Sequence, residues 1–235
     1  MNTDFDGFSI HKNEHEHTFQ IKCKQSSPVL IHSLLKTRLI HGHTDETNSV
    51  ITLNAYSVKT LREFKEEYKR IHKKDSLMVS DLAKAIQSLT KQLSYLLTYE
   101  KHTILGYNPE YIVVINDTIF VFICNELIVP LVEHNNLAMI CTPYSAFDFY
   151  FSPEMRQIKK IPVFLDYKTA FFSFGCLLVY LLTGNNDFYR KYLGENVSNV
   201  MLRELENHPI KNTKIYWMLS RCLVENYKNR TFILI

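Results

Sequence analysis

The side chains able to bind a metal ion or to act as a nucleophile are scattered along the sequence. Near the N-terminus, His11, His15 and His17 lie close together with Glu16 between them. Imidazole and carboxylate groups are common zinc ligands, but no cysteine or further carboxylate cluster completes a four-ligand shell. The pattern therefore favours a polar turn between two strands over a metal site.

The cysteines predict reduced, buried thiols. They are odd in number, lie far apart in apolar surroundings and form no C-x-x-C pair: Cys23, Cys124, Cys141, Cys176 and Cys222. This pattern argues against disulfides and zinc, and it favours a cytoplasmic, intracellular location. Because no histidine is placed by the sequence to activate Cys124, an inert thiol is expected there and not a catalytic nucleophile.

The composition excludes a disordered chain and gives no indication of nucleic-acid binding. Hydrophobic residues make up 46% of the sequence, and the formal net charge is only +3, too small and too dispersed for a nucleic-acid surface. The basic run over residues 65–74 is typical of a solvated helix face. No two of the 6 glycines are close enough to form a phosphate-binding loop. The first residues lack the pattern of a targeting signal, so neither export nor anchoring is expected.

The longest apolar run predicts a central helix. The segment TAFFSFGCLLVYLL, which starts at Thr169, is apolar almost all the way round, as in a helix buried in a core. It is shorter than the roughly 20 residues that span a bilayer, so no membrane contact is expected. Gly184 suits the left-handed position that ends a helix.

Other patterned segments predict an α+β protein. Strands are expected at residues 18–24 and 50–56, a helix after Pro28, and a second helix after the capping box that opens at Thr60. Ser80 with Asp81 is predicted to cap a long amphipathic helix. Two apolar runs separated by Asn116-Asp117 predict a buried hairpin over residues 111–123, and later helices are expected at 187–192, 197–206, 215–223 and from 228 to the end.

This order of strands first and helices later predicts two parts. Residues 1–58 are expected to form a reduced N-lobe with a small sheet and a helix, and residues 59–235 a helical C-lobe.

Three segments resemble motifs of the protein kinase family, and they occur in the family order. Ser152-Pro153-Glu154 is similar to A-P-E, residues 168–175 (KTAFFSFG) to the K-S-D-V-W-S-F-G start of the F helix, and residues 222–231 (CLVENYKNRT) to C-L-x-x-D-P-x-x-R-P. The resemblance covers about residues 81–235. It implies a kinase-like bilobal fold.

The resemblance also places the catalytic positions. Residues 107–113 (YNPEYIV) resemble the L-K-P-E-N-I-L of the catalytic loop, and Cys124 follows Tyr111 at the interval that separates the metal-binding Asn from the Asp of D-F-G. Gly106 then stands at the place of the catalytic Asp, Asn108 at that of the Lys, Tyr111 at that of the Asn and Cys124 at that of the D-F-G Asp. Phosphoryl transfer needs oxygen ligands for magnesium and a carboxylate base, which none of these side chains provides.

The D-F-G glycine, the glycine-rich loop and the strand lysine also depart from the family pattern. Glu126 stands at the D-F-G glycine, and no glycine-rich loop or V-A-I-K stretch can be assigned, although Lys22 or Lys24 is expected to hold a vestigial lysine position.

The surviving motif residues are structural. Ala170 replaces the F-helix Asp that anchors the catalytic loop, so no anchored catalytic loop is expected. Glu154 and Arg230, carried over by motif, are expected to form a buried ion pair, and Ser173 and Gly175 to keep the core helix.

The sequence therefore predicts a pseudokinase, a catalytically inactive kinase-like protein without a cofactor or metal that acts as a protein-binding or scaffold module. Richness in lysine, isoleucine, asparagine and tyrosine suggests an AT-rich genome, and short divergent kinase-like chains of this kind suggest a large DNA virus. One alternative is an atypical serine/threonine kinase that recruits other carboxylates, namely Asp117, Glu126, Glu110 and Asp148. Another is an unrelated α+β domain.

Overall fold

The computed structural model describes residues 2–4, 7–13, 18–132, 136–144, 150–185 and 197–232. The strands are β1 Asn2–Asp4, β2 Phe8–Asn13, β3 Thr18–Cys23, β4 Gly42–Thr44, β5 Val50–Asn54, β6 Val58–Thr60, β7 His102–Ile104, β8 Gly106–Tyr107, β9 Ile112–Ile115, β10 Ile119–Phe122, β11 Ile128–Val132, β12 Leu137–Ile140, β13 Tyr150–Phe151 and β14 Val163–Asp166. The α-helices are α1 Pro28–Leu35, α2 Leu61–His72, α3 Val79–Tyr95, α4 Pro153–Arg156, α5 Thr169–Thr183, α6 Val197–Asn207 and α7 Lys214–Cys222. The α+β class predicted from the sequence is confirmed. The helix predicted at residues 187–192 lies outside the described residues.

The described strands form several antiparallel sheets. The first has five strands in the order β1-β2-β3-β5-β4, with α1 between β3 and β4 in the chain. In β3, Phe19, Ile21 and Cys23 are buried and alternate with exposed Gln20 and Lys22, as expected of a sheet with one face in the core. The other sheets have the orders β10-β9-β6, β14-β12-β11-β7 and β13-β8.

The predicted hairpin is confirmed as β9 and β10. Residues 116–118 connect the strands, and the Thr118 N–H donates to the Ile115 carbonyl across the turn. Asn116 and Asp117, at the centre of this turn, have φ angles of 51° and 56°, the left-handed conformation that tight hairpin turns favour. All four residues of β9 are buried, because the strand lies between β10 and β6 in its sheet and packs against helix α2, while helix α3 packs against β10. The hairpin is thus part of the core and not an exposed loop.

Helix α3 packs against the outer strand of this hairpin, β10. Its fully buried Gln92 side chain forms hydrogen bonds with the backbone of that strand. The Gln92 amide donates from Nε2 to the Phe122 carbonyl over 2.8 Å, and its Oε1 accepts the Phe122 N–H over 2.9 Å. Nε2 also lies 3.2 Å from the Ser33 hydroxyl of α1. A glutamine side chain therefore pairs with the edge strand as a neighbouring strand would, and it links α1, α3 and the hairpin.

Helix α5 runs through the core, as predicted. All its residues from Thr169 to Leu182 except Tyr180 are buried, and Gly184 ends it with φ 74°. At Gly175 an added Cβ would lie 3.1 Å from side-chain atoms of Cys222 and Leu223, so a larger residue there would push these side chains back by a few tenths of an ångström. In the described part of the chain, no helix has both the length and the apolar character that crossing a membrane requires.

Several boundaries differ from the sequence prediction. Helix α3 begins at Val79 after Met78, and its predicted cap residue Asp81 instead accepts hydrogen bonds from Tyr68 and Lys84. The strands β7, β8, β12 and β14 were not predicted, because strands of two to four residues carry almost no periodicity. A helix was expected from residue 228 onward. The structure instead has a 3₁₀ turn at Tyr227–Asn229, and the described residues that follow it, 230–232, are not helical.

Replacing Gln92 with leucine should destabilise the fold strongly. The Phe122 N–H and carbonyl would stay buried without partners, which should lower the free energy of unfolding by about 2–4 kcal/mol. Urea denaturation followed by fluorescence measures this change. Gln87→Leu, at an exposed position of the same helix, is the matched control and should change stability by less than about 0.5 kcal/mol. Equal effects of the two substitutions would contradict the role given to Gln92.

Candidate functional site

The segment that resembles a catalytic loop is held against helix α5. Gly106 and Tyr107 form β8, which pairs with Tyr150 and Phe151 of β13. The Tyr107 N–H donates to the Ser173 hydroxyl over 2.6 Å. Ser173 lies one turn after Ala170 on α5, so the hydroxyl of Ser173, and not the side chain at position 170, holds this segment to the helix.

The Tyr107 side chain is enclosed by aromatic rings. Its ring centre lies 4.9 Å from that of Phe122 and 5.7 Å from that of Phe174. The hydroxyl is buried without a hydrogen-bond partner, and burial raises the pKa of Tyr107 far above its usual range. This phenol therefore stays neutral and cannot act as a base.

Asn108 supports the local backbone. Its side-chain oxygen accepts the N–H of Glu110 over 2.9 Å and so caps the 3₁₀ turn Pro109–Tyr111. Asn108 and Gly106 do not line the cavity described next. Asn108 thus has a local capping role, whereas Gly106 contributes to the strand pair β8–β13.

Tyr111 and Cys124, by contrast, are brought together beside the five-stranded sheet. The Tyr111 ring packs on Gly7, where a Cβ would lie 3.1 Å from Cε1 of the ring, and its centre is 6.3 Å from that of Phe8. Gly7 has φ 107°, so both its backbone conformation and the close approach of the ring require glycine. Sequence reasoning missed this role of Gly7 because no pattern connects it to Tyr111.

The cavity that remains at this place is small. Its volume is about 110 Å³, and it is lined by Gly7, Cys23, Lys24, Gln25, Ser27, Tyr111, Ile123, Cys124, Asn125 and Glu126. Pockets for small-molecule ligands usually measure about 300–1,000 Å³. The cavity beside the Tyr111 ring is thus smaller than a typical small-molecule site. Of the two candidate lysines, Lys24 borders the cavity, whereas Lys22 lies on the exposed face of β3.

The thiol of Cys124 is chemically inert. Burial raises the pKa of Cys124 to about 12, so the thiolate that nucleophilic attack or metal binding needs is absent near neutral pH. Cys23, Cys176 and Cys222 are also buried, but Cys141 is exposed. The expectation of a buried thiol was wrong for Cys141, which follows strand β12 on the surface.

Two of the four carboxylates that an atypical kinase would recruit form ion pairs with other residues. Asp117 lies 2.9 Å from Lys59, and Glu110 lies 2.5 Å from Arg62. Glu126 is exposed at the edge of the small cavity. Asp148 lies outside the described residues, as do His15, Glu16 and His17. Within the described ranges, no group of three or more His, Cys, Asp or Glu residues is arranged to hold a metal ion.

Lys65 departs from the solvated helix face predicted for its segment. Its ammonium lies 3.8 Å from the centre of the Tyr180 ring. Desolvation by burial lowers the pKa of Lys65 to about 8. No pattern in the sequence indicates this contact, because Tyr180 belongs to helix α5, more than 100 residues further along the chain.

Glu154 and Arg230 form an ion pair across the C-terminal part of the fold. Both terminal nitrogens of Arg230 donate to the Glu154 carboxylate, one of them over 2.8 Å, and the Arg230 side chain is 0% exposed. Arg230 also donates to the carbonyls of Val224 and Glu225 over 2.6 Å each, and its guanidinium lies 4.9 Å from the Phe172 ring centre. Glu154 of the A-P-E-like segment and Arg230 of the last motif are therefore in direct contact. Through Arg230, the segment around residues 224–230 is held against α4 and α5.

Replacing Arg230 with alanine should lower the free energy of unfolding by about 3–5 kcal/mol, because the Glu154 carboxylate would lose its buried partner. Thermal and urea unfolding measure the loss. Arg62→Ala removes the exposed ion pair with Glu110 and should cost less than about 1 kcal/mol. An unchanged melting temperature for Arg230→Ala would show that the pair is dispensable.

No model of a known protein family matches the chain, and no curated protein matches it either. What the protein does must be inferred from its own residues and their geometry.

Proposed function

We propose that this protein is a catalytically inactive kinase-like protein, a pseudokinase that acts as a protein-binding module. The observation that carries the proposal is the filled cleft: Tyr111 and Cys124, at the two magnesium-binding positions of the resemblance, border a cavity of about 110 Å³. A neutral thiol and a phenol are poor ligands for a hard cation, which prefers several oxygen ligands.

The arrangement of the sheet supports the kinase-like reading. Active kinases pair a lysine of the third strand with a glutamate of the helix that follows it. In this chain the third strand is also followed by a helix, α1, but Lys22 is exposed and α1 contains no acidic residue. The strand and the helix that carry this lysine–glutamate pair in active kinases thus have counterparts in β3 and α1, but the two charged residues do not. The division into residues 1–58 and 59–235 and the bilobal arrangement belong to this proposal, as do a cytoplasmic site of action and a viral origin.

A surface for a protein partner is present on the outer face of β11, β12 and β14. Met139 faces Phe164 across the strand pair β12–β14. Their exposed fractions are 48% and 54%, and that of Val132 on the same face is 41%. Solvated sheet faces are usually polar, so an apolar face of this kind is typical of an interaction site. β14 is also an edge strand, to which an extended segment of a partner can pair.

The cleft assignment predicts that magnesium adds nothing to nucleotide binding. Thermal unfolding with ATP should be the same in Mg²⁺ and in EDTA, because no pair of oxygen ligands holds the ion. Incubation with radiolabelled ATP and Mn²⁺ should transfer no phosphate to the protein or to a generic substrate. A magnesium-dependent shift of several degrees, or transfer that Glu126→Ala abolishes, would instead support an atypical kinase.

The surface assignment predicts a selective loss of partner binding. Met139→Lys combined with Phe164→Lys should change the free energy of unfolding by less than about 1 kcal/mol, since both side chains are largely exposed. Cross-linking in the native cell should recover a partner with the wild-type protein and lose it with the double variant. Ile71→Lys, at a 62% exposed position on α2, is the control and should retain the partner. Recovery of the same proteins with all three chains would place the binding surface elsewhere.

A further inference from the structure

A second pocket lies away from the filled cleft. It is formed by α3, the π-helical turn Leu96–Glu100 that continues α3, the segment after α1 and Met218 of α7, and its volume is about 690 Å³. This volume lies within the range of small-molecule sites. The pocket shares no lining residue with the cavity beside Tyr111, so it is independent of the proposed inactive cleft.

The pocket has a cationic lining. Lys36, Arg38 and Lys91 contribute to it, and no acidic residue occurs among the described residues that line it. All three cations are exposed and are therefore free to reorient toward a ligand. Three positive charges around one concave site favour a compact anion such as a phosphate group.

Thr90 provides an observation that points independently to a polar ligand. Its side chain is only 4% exposed and lines the pocket, yet its hydroxyl has no hydrogen-bond partner among the residues that the structure describes. Buried polar groups almost always have a partner, so an unpaired hydroxyl at a pocket wall indicates a missing one. Ser94, one helical turn further along α3, also lines the pocket.

Two tyrosines form the aromatic part of the wall. The ring centres of Tyr95 and Tyr99 are 5.1 Å apart with planes inclined by 33°, and Tyr99 is 72% exposed. Tyr99 belongs to the π-helical turn, a rare conformation that is frequent at functional sites. A planar ring that stacks on Tyr99 would bury its exposed face.

We propose that this pocket binds a small organic phosphate that carries a planar ring. The phosphate lies among Lys36, Arg38 and Lys91, the ring stacks on Tyr99, and a polar atom of the ligand pairs with the Thr90 hydroxyl. Simple phosphate supplies only the first of these contacts and an uncharged ring compound only the second, so a ligand that combines both binds best.

Calorimetric titration with adenosine monophosphate in EDTA tests the proposal. Thr90→Val keeps the shape of the side chain and removes the hydroxyl, so the ligand-free protein should melt at the same or a higher temperature while the affinity falls about ten-fold. Lys91→Glu should also weaken binding by about ten-fold or more. Lys74→Glu, a charge reversal at an exposed position that does not line the pocket, should leave the affinity unchanged.

Three outcomes would overturn the proposal. One is no binding of adenosine monophosphate at millimolar concentration. Another is equal affinity for adenosine or for inorganic phosphate, which would remove the role of the phosphate or of the ring. The third is a loss of binding in Tyr111→Ala together with full binding in Thr90→Val, which would locate the ligand in the cleft. Failure here leaves the pseudokinase proposal intact, because that proposal depends on the magnesium and phosphotransfer measurements.

Discussion

The pairing of the Gln92 amide with both backbone groups of Phe122 is the interaction on which the middle of the fold depends. An edge strand in a core must satisfy its outward N–H and C=O groups, and no further strand is available beside β10 in its sheet. Gln92 meets this requirement from α3 and at the same time reaches Ser33 on α1. The position of the hairpin, and with it that of Tyr111 and Cys124, therefore follows from one side chain on a helix.

Helix α5 is the second element that holds distant parts of the chain in place. Ser173 holds the backbone of Tyr107, while Arg230 joins the end of the chain to Glu154 beside the start of the helix. Both contacts place a polar group inside an apolar environment, where its partner is indispensable. The segment with the catalytic-loop resemblance is consequently packed against helix α5 at β8 and against helix α2 at the turn Pro109–Tyr111.

The sequence predicted those parts of the fold whose cause is local. The capping box at Thr60 and Glu63 is present, Asn116 and Asp117 adopt the turn conformation, and the apolar run after Thr169 is a buried helix. The short strands β7, β8, β12 and β14 escaped prediction because two to four residues carry almost no periodicity. The site was predicted only as a set of replaced residues. That the Tyr111 ring would pack beside the small cavity depends on Gly7, and that Thr90 would line a pocket depends on how α1, α3 and α7 pack, which no local pattern encodes.

The contact between Tyr111 and Gly7 gives position 111 a role in the packing of the core. Replacing Tyr111 with asparagine would withdraw a ring that packs on Gly7 and Phe8 and leave a void between the sheet and the hairpin. Under the proposed function, this position is also the place of a magnesium ligand. A substitution that returned the ligand would then cost stability at the same residue, so packing itself would oppose the recovery of catalysis.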